Sequence, residues 1–371
     1  AGGDLVTTLD LDLQIAAEQA LGDRTGAAVA IRPQTGEVLA MVSLPSFDPT
    51  LFADGISTPD YQALVSDPRK PFRNRAIQNH YSPGSVFKVF MTAAGLGEHV
   101  LDPHETAFCP GYTILYGNRF GCWKEGGHGN ISLHDALVHS CNVFFYLVGD
   151  RLGIERISEY AIAMGLGRRT GIDLPGEDPG LIPSEEWKRE ATGEPWYPGE
   201  TISVSIGQGA VSVTPVQVTW AMGGLAAGGR LIQPHLVDPS QIRGSGDLSE
   251  ESYTLDTETL TTIREALWDV VNGPGTGTSA RVDGFDVAGK TGTAQVVASA
   301  SYGADFEDHA WFVGFAPAFD PEIAVGVFVE NGGHGGSAAG PVAQAIFQTY
   351  YDKKRGQLTR NDAIDVAGAF D

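Results

Sequence analysis

Cysteine is scarce in this chain: Cys109, Cys122 and Cys141 are the only three among 371 residues. An odd number cannot complete a disulfide framework, so a small disulfide-stapled scaffold is excluded. Basic residues are also few, 24 Lys and Arg against 46 Asp and Glu, giving a formal net charge of −22. Such a surface repels nucleic acid and anionic lipid headgroups. No acidic block concentrates this charge, so it reads as a solubility adaptation of the whole surface. Charged residues make up only 19% of the chain, yet nothing in its composition suggests disorder. No apolar run reaches the roughly 20 residues of a membrane span. There is no signal peptide, internal repeat or low-complexity tract. The opening, AGGDLVTTLDLDLQ, looks cut from something longer, and a membrane anchor is expected in the parent protein.

What is present suggests strands, then helices, then strands. Thr7 to Leu21 reads as a helix. The apolar runs Ala27–Ile31 and Val38–Leu44 flank the turn Pro33-Gln34-Thr35-Gly36, a hairpin signal. FDVAGKTGTAQVV, HAWFVGFAP and EIAVGVFVEN are three further strand candidates. The five together predict one antiparallel sheet. SLHDALVHSCNVFFYLVGDRLG has helical spacing, with Ser132 and Asp135 resembling a capping box. GIERISEYAIAMGLG, VTPVQVTWAMGGLAAGG and TLDTETLTTIREALWDVVNG are further helices, and 170–200 reads as a long loop. The fold class is α+β: a five-stranded antiparallel sheet flanked by helices, with an inserted all-helical lobe. The sheet lobe is expected over about 4–85 and 255–355, and the helical lobe over about 86–254, within a single domain of 1–371.

Chemistry is concentrated in three short motifs. In HYSPGSVFKVF, Ser85 sits at a helix start and Lys88 lies one turn on, on the same face. A serine hydroxyl needs a base to become nucleophilic. A lysine, with an ordinary pKa of about 10.4, becomes that base only when burial or nearby positive charge lowers it. Val86, Phe87, Val89 and Phe90 would supply the burial. The pair alone is weak evidence. Ser140-Cys141-Asn142 follows within a helical segment, and Lys290-Thr291-Gly292-Thr293 follows on a predicted strand. A strand glycine such as Gly292 marks close approach of another backbone, for example that of a peptide substrate.

Cys109, Cys122, His128 and Cys141 fall in one 33-residue window. Three thiolates and an imidazole would complete a tetrahedral zinc shell, with no open position for water. The alternative is a Cys109–Cys122 disulfide with Cys141 buried as a small apolar residue. Tyr116-Gly117-Asn118, a decoy for the second motif, is given a structural role. Trp123 and Trp196 are read as packing residues, with a groove-lining role as the alternative.

The order Ser-x-x-Lys, Ser-x-Asn, Lys-Thr-Gly is a known signature of penicillin-binding proteins and serine β-lactamases. TLDLDLQ, AAVAIRPQTGEVLAMVSLPSFDP, GIDLPGEDPGLIP, SIGQGAVSVTPVQ and HAWFVGFAP resemble the transpeptidase domain of class B penicillin-binding proteins, from roughly Asp4 to Tyr351. The segment running from FCPG to NVFFY resembles the elongation-specific subfamily, penicillin-binding protein 2. Many members of that subfamily have Asp where this chain has Asn142.

The resemblance implies a D,D-transpeptidase on the periplasmic face of the inner membrane, acting on peptidoglycan stem peptides and acylated by β-lactams. Its partners would be a glycosyltransferase and scaffold proteins of the elongation complex. It implies Ser85 as nucleophile, Lys88 as base, Ser140 as proton relay and Lys290 as electrostatic support. Asn142 would hold the substrate amide. Thr291 and Thr293, with Gly292 between them, would bind the terminal carboxylate, and the N–H groups of Ser85 and Thr293 would form the oxyanion hole. Some relatives carry zinc at this loop, on ligands resembling His128 and Cys141. A β-lactamase would need a deacylating glutamate, for which Glu177 and Glu185 are the loop candidates. A β-lactam sensor domain is the third reading.

Overall fold

A computed structural model describes residues 4–53, 55–241, 248–295 and 307–356. The chain enters extended, with Thr7 bridged to Val237 and the Thr8 hydroxyl donating to the Val38 carbonyl at 2.7 Å. Helix α1 therefore spans Leu11–Leu21 rather than starting at Thr7, and Asp10 caps it by accepting from the N–H groups of Asp12 and Leu13. Strands β1 (Gly26–Ile31) and β2 (Val38–Leu44) form the expected hairpin. Helices α2 (Thr58–Ser66) and α3 (Arg75–Gln78) lead to a 3-10 turn at Gly84–Val86 and to α4 (Phe87–Gly97).

The helical region is less uniform than its periodicity suggests. Two small ladders precede its first long helix: β3 (Thr106–Cys109) pairs with β6 (Gly129–Ser132), and β4 (Tyr112–Leu115) pairs with β5 (Asn118–Gly121). Tyr116 and Gly117 both have positive φ, as the two-residue turn between β4 and β5 requires. The single helix expected from Ser132 to Gly153 is two, α5 (Leu133–Val138) and α6 (Asn142–Ala163). Helix α6 itself kinks at Gly153. The region expected as loop, 170–200, contains α7 (Glu185–Thr192), capped by Ser184, and the start of α8 (Pro198–Val204). Next come α9 (Pro215–Ala226), the short pair β7 (Arg230–Ile232) and β8 (Glu250–Ser252), and α10 (Thr257–Asn272). Thr214 caps α9 with a complete capping box to Gln217.

The C-terminal part supplies β9 (Ala288–Ala294), β10 (His309–Ala316) and β11 (Ile323–Val329), then α11 (Gly335–Ala338) and α12 (Gly340–Lys354). Val296 and Val297, the expected end of β9, lie outside the described residues. The sheet order is β2-β1-β11-β10-β9, antiparallel throughout. Alternation splits each strand between two cores. Ala28 and Ala30 pack with α1 and α12, through Leu13, Ala17 and Phe347. Ala27, Val29 and Ile31 face α9, through Val216 and Trp220. Helix α10 packs against β9, α4 and α5, so one helix touches three elements that carry or flank the motifs.

Candidate active site

Lys88 is fully buried, and its ammonium reaches Ser140 O at 2.9 Å, Ser140 Oγ at 3.2 Å and Asn142 Oδ1 at 2.7 Å. The first two motifs are therefore joined through this amine. Burial pushes the Lys88 pKa down to about 7, while the nearby Cys141 and Cys122 thiols oppose the shift. Ser85 stands on the 3-10 turn before α4 and is only half-buried, unlike Gly84 and Val86 on either side.

Ser140 sits at a helix ending rather than within a helix. Cys141 N–H donates to Ala136 O at 2.9 Å and Ser140 N–H to Leu137 O at 3.2 Å. These are the two bonds of a Schellman ending of α5, with Ser140 in the left-handed position at φ 55. Glycine usually occupies that place, and a side chain there costs about 1 kcal/mol or more. From this position the Ser140 hydroxyl meets Lys88, and Asn142, two residues on, begins α6. The Asn142 amide is already engaged, accepting from Lys88 and donating to Gly121 O at 3.4 Å.

Lys290 is also fully buried and donates to Thr291 O at 3.3 Å. Burial holds its pKa well below the usual lysine range, and the charge of Lys88 adds to the effect. Each ammonium therefore disfavours charge on the other, and both amines are easier to deprotonate than an exposed lysine. Gly292 needs no substrate to explain it: a Cβ there would lie 2.6 Å from the Pro83 carbonyl oxygen. The backbone that approaches is the chain's own, just before Ser85. The Thr291 hydroxyl pairs with that of Thr276 at 2.6 Å. The Thr293 carbonyl accepts from Gln208 Nε2 at 3.2 Å. In an antiparallel strand a residue's N–H and C=O point to the same side, so the Thr293 N–H also faces away from β10.

The cysteine window converges. One ligating atom from each of Cys109, Cys122, His128 and Cys141 lies within 4.8 Å of the others, and the three thiols are unpaired. This overturns the Cys109–Cys122 disulfide. His128 Nδ1 lies 3.6 Å from Cys109 Sγ and 3.5 Å from Cys122 Sγ. Zinc–sulfur and zinc–nitrogen bonds at a tetrahedral angle would put such atoms about 3.6 Å apart. The hydrogen bond with Cys141, aided by backbone N–H groups, holds the Cys122 thiol well below its ordinary range. The same bond and burial raise Cys141. Burial lowers His128, keeping its ring neutral. A low-pKa thiol and a neutral imidazole are what a metal requires, so the cluster could hold a metal ion.

Other candidates fall outside the constellation. The carboxylate of Glu177 is taken up by Thr170 N at 2.7 Å, Thr170 Oγ1 at 2.6 Å and Gly171 N at 3.1 Å. Glu185 caps no site and opens the exposed start of α7. Trp123 is not the packing residue expected: it is 60% exposed, and its indole N–H donates to Ser140 O at 3.0 Å and His139 O at 3.1 Å. Sequence reasoning assigned no role to Gln208 or Thr276, which belong to none of the three motifs.

Comparison with known proteins gives the family. Residues 26–348 match the family described as penicillin binding protein transpeptidase domain. The peptidoglycan D,D-transpeptidase MrdA of Acinetobacter baumannii is 42% identical over 363 residues, covering 93% of this chain and 53% of that protein. The Escherichia coli K12 protein of the same name is 38% identical, covering 95% of this chain and 58% of its own. This chain thus spans a little over half the length of these curated relatives. Pseudomonas aeruginosa PBP2, solved in complex with WCK 5153, superposes with a TM-score of 0.88 at 39% identity, covering 97% of this chain and 78% of that one. Helicobacter pylori PBP2, solved with MreC, gives a TM-score of 0.86 at 30% identity, covering 95% and 64%. With the three motifs on one buried amine pair and relatives matching nearly its whole length, the chain belongs to the penicillin-binding protein transpeptidase domain family.

Proposed function

We propose that this chain is the catalytic domain of a peptidoglycan D,D-transpeptidase that cross-links stem peptides during cell-wall elongation. The observation carrying this reading is Lys88: fully buried, with a pKa near 7, bonded to Ser140 and Asn142 and one helical turn from Ser85. Neutral Lys88 takes the Ser85 proton as Oγ attacks the D-Ala-D-Ala carbonyl. The N–H groups of Ser85 and Thr293 receive the negative oxygen. Of the three Lys88 partners, only the Ser140 hydroxyl can also donate, which suits it to pass a proton to the departing D-Ala amine. An incoming amine from a neighbouring stem peptide then replaces Ser85 and closes the cross-link. Lys290 supplies positive potential. Thr291 and Thr293, flanking Gly292, hold the substrate carboxylate, and Asn142 turns from Gly121 to the substrate amide.

Zinc on Cys109, Cys122, His128 and Cys141 would be structural, tying the β3–β6 region to the start of α6. Three thiolates and one imidazole favour zinc over harder ions. The sheet lobe of about 4–85 and 255–355 and the helical lobe of about 86–254 meet at Ser85 in this reading. An anchor in the parent protein would hold the domain at the periplasmic face of the inner membrane. None of the helices described here is long and apolar enough to cross a membrane. Complexes of relatives with MreC and within a peptidoglycan synthase assembly support scaffold and glycosyltransferase partners.

Glu177 speaks against the β-lactamase reading, since its carboxylate serves the backbone at 170–171. A labelled penicillin tests all three readings. A stable adduct is expected on the chain, with none on Ser85→Ala. Rapid hydrolysis of the drug would reject the transpeptidase and sensor readings alike, and an adduct surviving Ser85→Ala would reject the nucleophile. Cross-linking of stem peptides by the unmodified chain separates transpeptidase from sensor.

A further inference from the structure

Three backbone segments meet behind Ser85 with no room for side chains. A Cβ on Gly84 would lie 2.5 Å from the Thr293 carbonyl oxygen, and one on Gly207 would lie 2.1 Å from the Gly84 carbonyl oxygen. Both glycines have positive φ, 55 and 72, a region glycine enters without penalty. Gly84 N–H donates to Gly207 O at 2.9 Å. The next residue, Gln208, is anchored by its own N–H to Ser203 O at 3.1 Å, at the end of α8. Helix α8 packs on α6, where Gly149 leaves space for Ser205. From this fixed point the Gln208 amide reaches across to the Thr293 carbonyl at 3.2 Å.

We infer that Gln208 is a positioning residue for the oxyanion hole, working with Gly207 to set the separation of its two donors. The inference rests on the reading of Ser85 as the acylated nucleophile. One donor, the Ser85 N–H, belongs to the peptide whose carbonyl lies against Gly207. The other, the Thr293 N–H, belongs to the residue whose carbonyl Gln208 holds. Two adjacent residues therefore each touch one side of the hole. Thr293 and Ala310 face each other on β9 and β10. With its carbonyl turned from β10 to Gln208, the N–H of Thr293 turns outward with it. Removing the Gln208 donor lets this residue rotate. Charge stabilisation in the transition state then weakens more than ground-state binding, which Thr291 and Asn142 also supply. A carbonyl has two lone pairs, so Thr293 can still accept from a bound peptide while Gln208 holds it.

The test is Gln208→Met, which keeps length and removes the donor, with acylation by a labelled penicillin resolved into binding (Ks) and chemistry (k2). The expected result is k2 lowered about ten-fold, less than the roughly 10²–10³ for a lost oxyanion donor, with Ks within about two-fold. The ester carbonyl of the acyl-enzyme, followed by infrared difference spectroscopy, should move to higher frequency as its hydrogen bonds weaken. Gln208→Glu, which places an acceptor against a carbonyl, should lower k2 further. An unchanged k2 in both variants, or a change confined to Ks, overturns the positioning role. An unmoved carbonyl band despite a lower k2 also overturns it. If the unsubstituted chain forms no adduct at Ser85, the underlying reading has failed instead, so the two failures are distinguishable.

Discussion

Lys88 is asked to hold two properties that oppose each other, a positive charge that its three oxygen partners favour and a dry surrounding that removes it. Desolvation wins, bringing the pKa to about 7. The consequence has a definite sign. A base with a lowered pKa becomes available as pH rises through that value. The second-order acylation constant should therefore increase about ten-fold per unit below pH 7 and level off above it. A stopped-flow series with a non-titrating β-lactam from about pH 5 to 9 would show this. A flat profile, or a rise only above pH 9, would mean that Lys88 is an ordinary charged lysine. The pair Ser85 and Lys88 was legible in the sequence not by its own spacing but because Ser140, Asn142 and Lys290 follow it in the right order. Gln208 and Thr276 were not legible. Gln208 lies within SIGQGAVSVTPVQ, a stretch that carried the resemblance, yet nothing there points to a carbonyl partner 85 residues away.

At the scale of elements, the five-stranded sheet could be read from its apolar runs, but the break between α5 and α6 could not. Apolar spacing continues from Ala136 to Val143 without interruption. The only cue is the polar string His139-Ser140-Cys141-Asn142, and it competes with a strong helical period. The four short strands around the cysteines escaped for a different reason. Each is four residues long and holds at most one fully buried residue, so no buried alternation marks them. Such ladders are marginal alone, and the thiol and imidazole cluster is what can hold them. Chelation under reducing conditions should therefore lower the melting temperature by several degrees, and Cys122→Ser should do the same with zinc present. Metal analysis should find about one zinc per chain. A metal-free chain with an unchanged melting temperature would end the structural role.

For the molecule as a whole, the charge of −22 is the dominant long-range term. Local ion pairs such as Arg151–Glu105 and Arg168–Glu251 neutralise part of it, but they are exposed and individually weak. Self-repulsion should therefore outweigh them at low ionic strength. Raising sodium chloride from about 0.01 M to about 0.5 M shortens the screening length from roughly 30 Å to a few Å. The melting temperature should rise by a few degrees over that range. A fall would mean that the ion pairs matter more than the net charge.

The position of β9 at the end of the sheet has a consequence for the protein's solubility. An edge strand with free backbone groups invites pairing with another copy of the chain. Here Pro83, Gly84 and Gln208 lie against its open side. The loop that presents the nucleophile is thus also the guard that keeps this sheet from growing. A variant that loosens this loop would at the same time uncover a template for aggregation, so changes at the nucleophile and the solubility of the fold are tied to one segment.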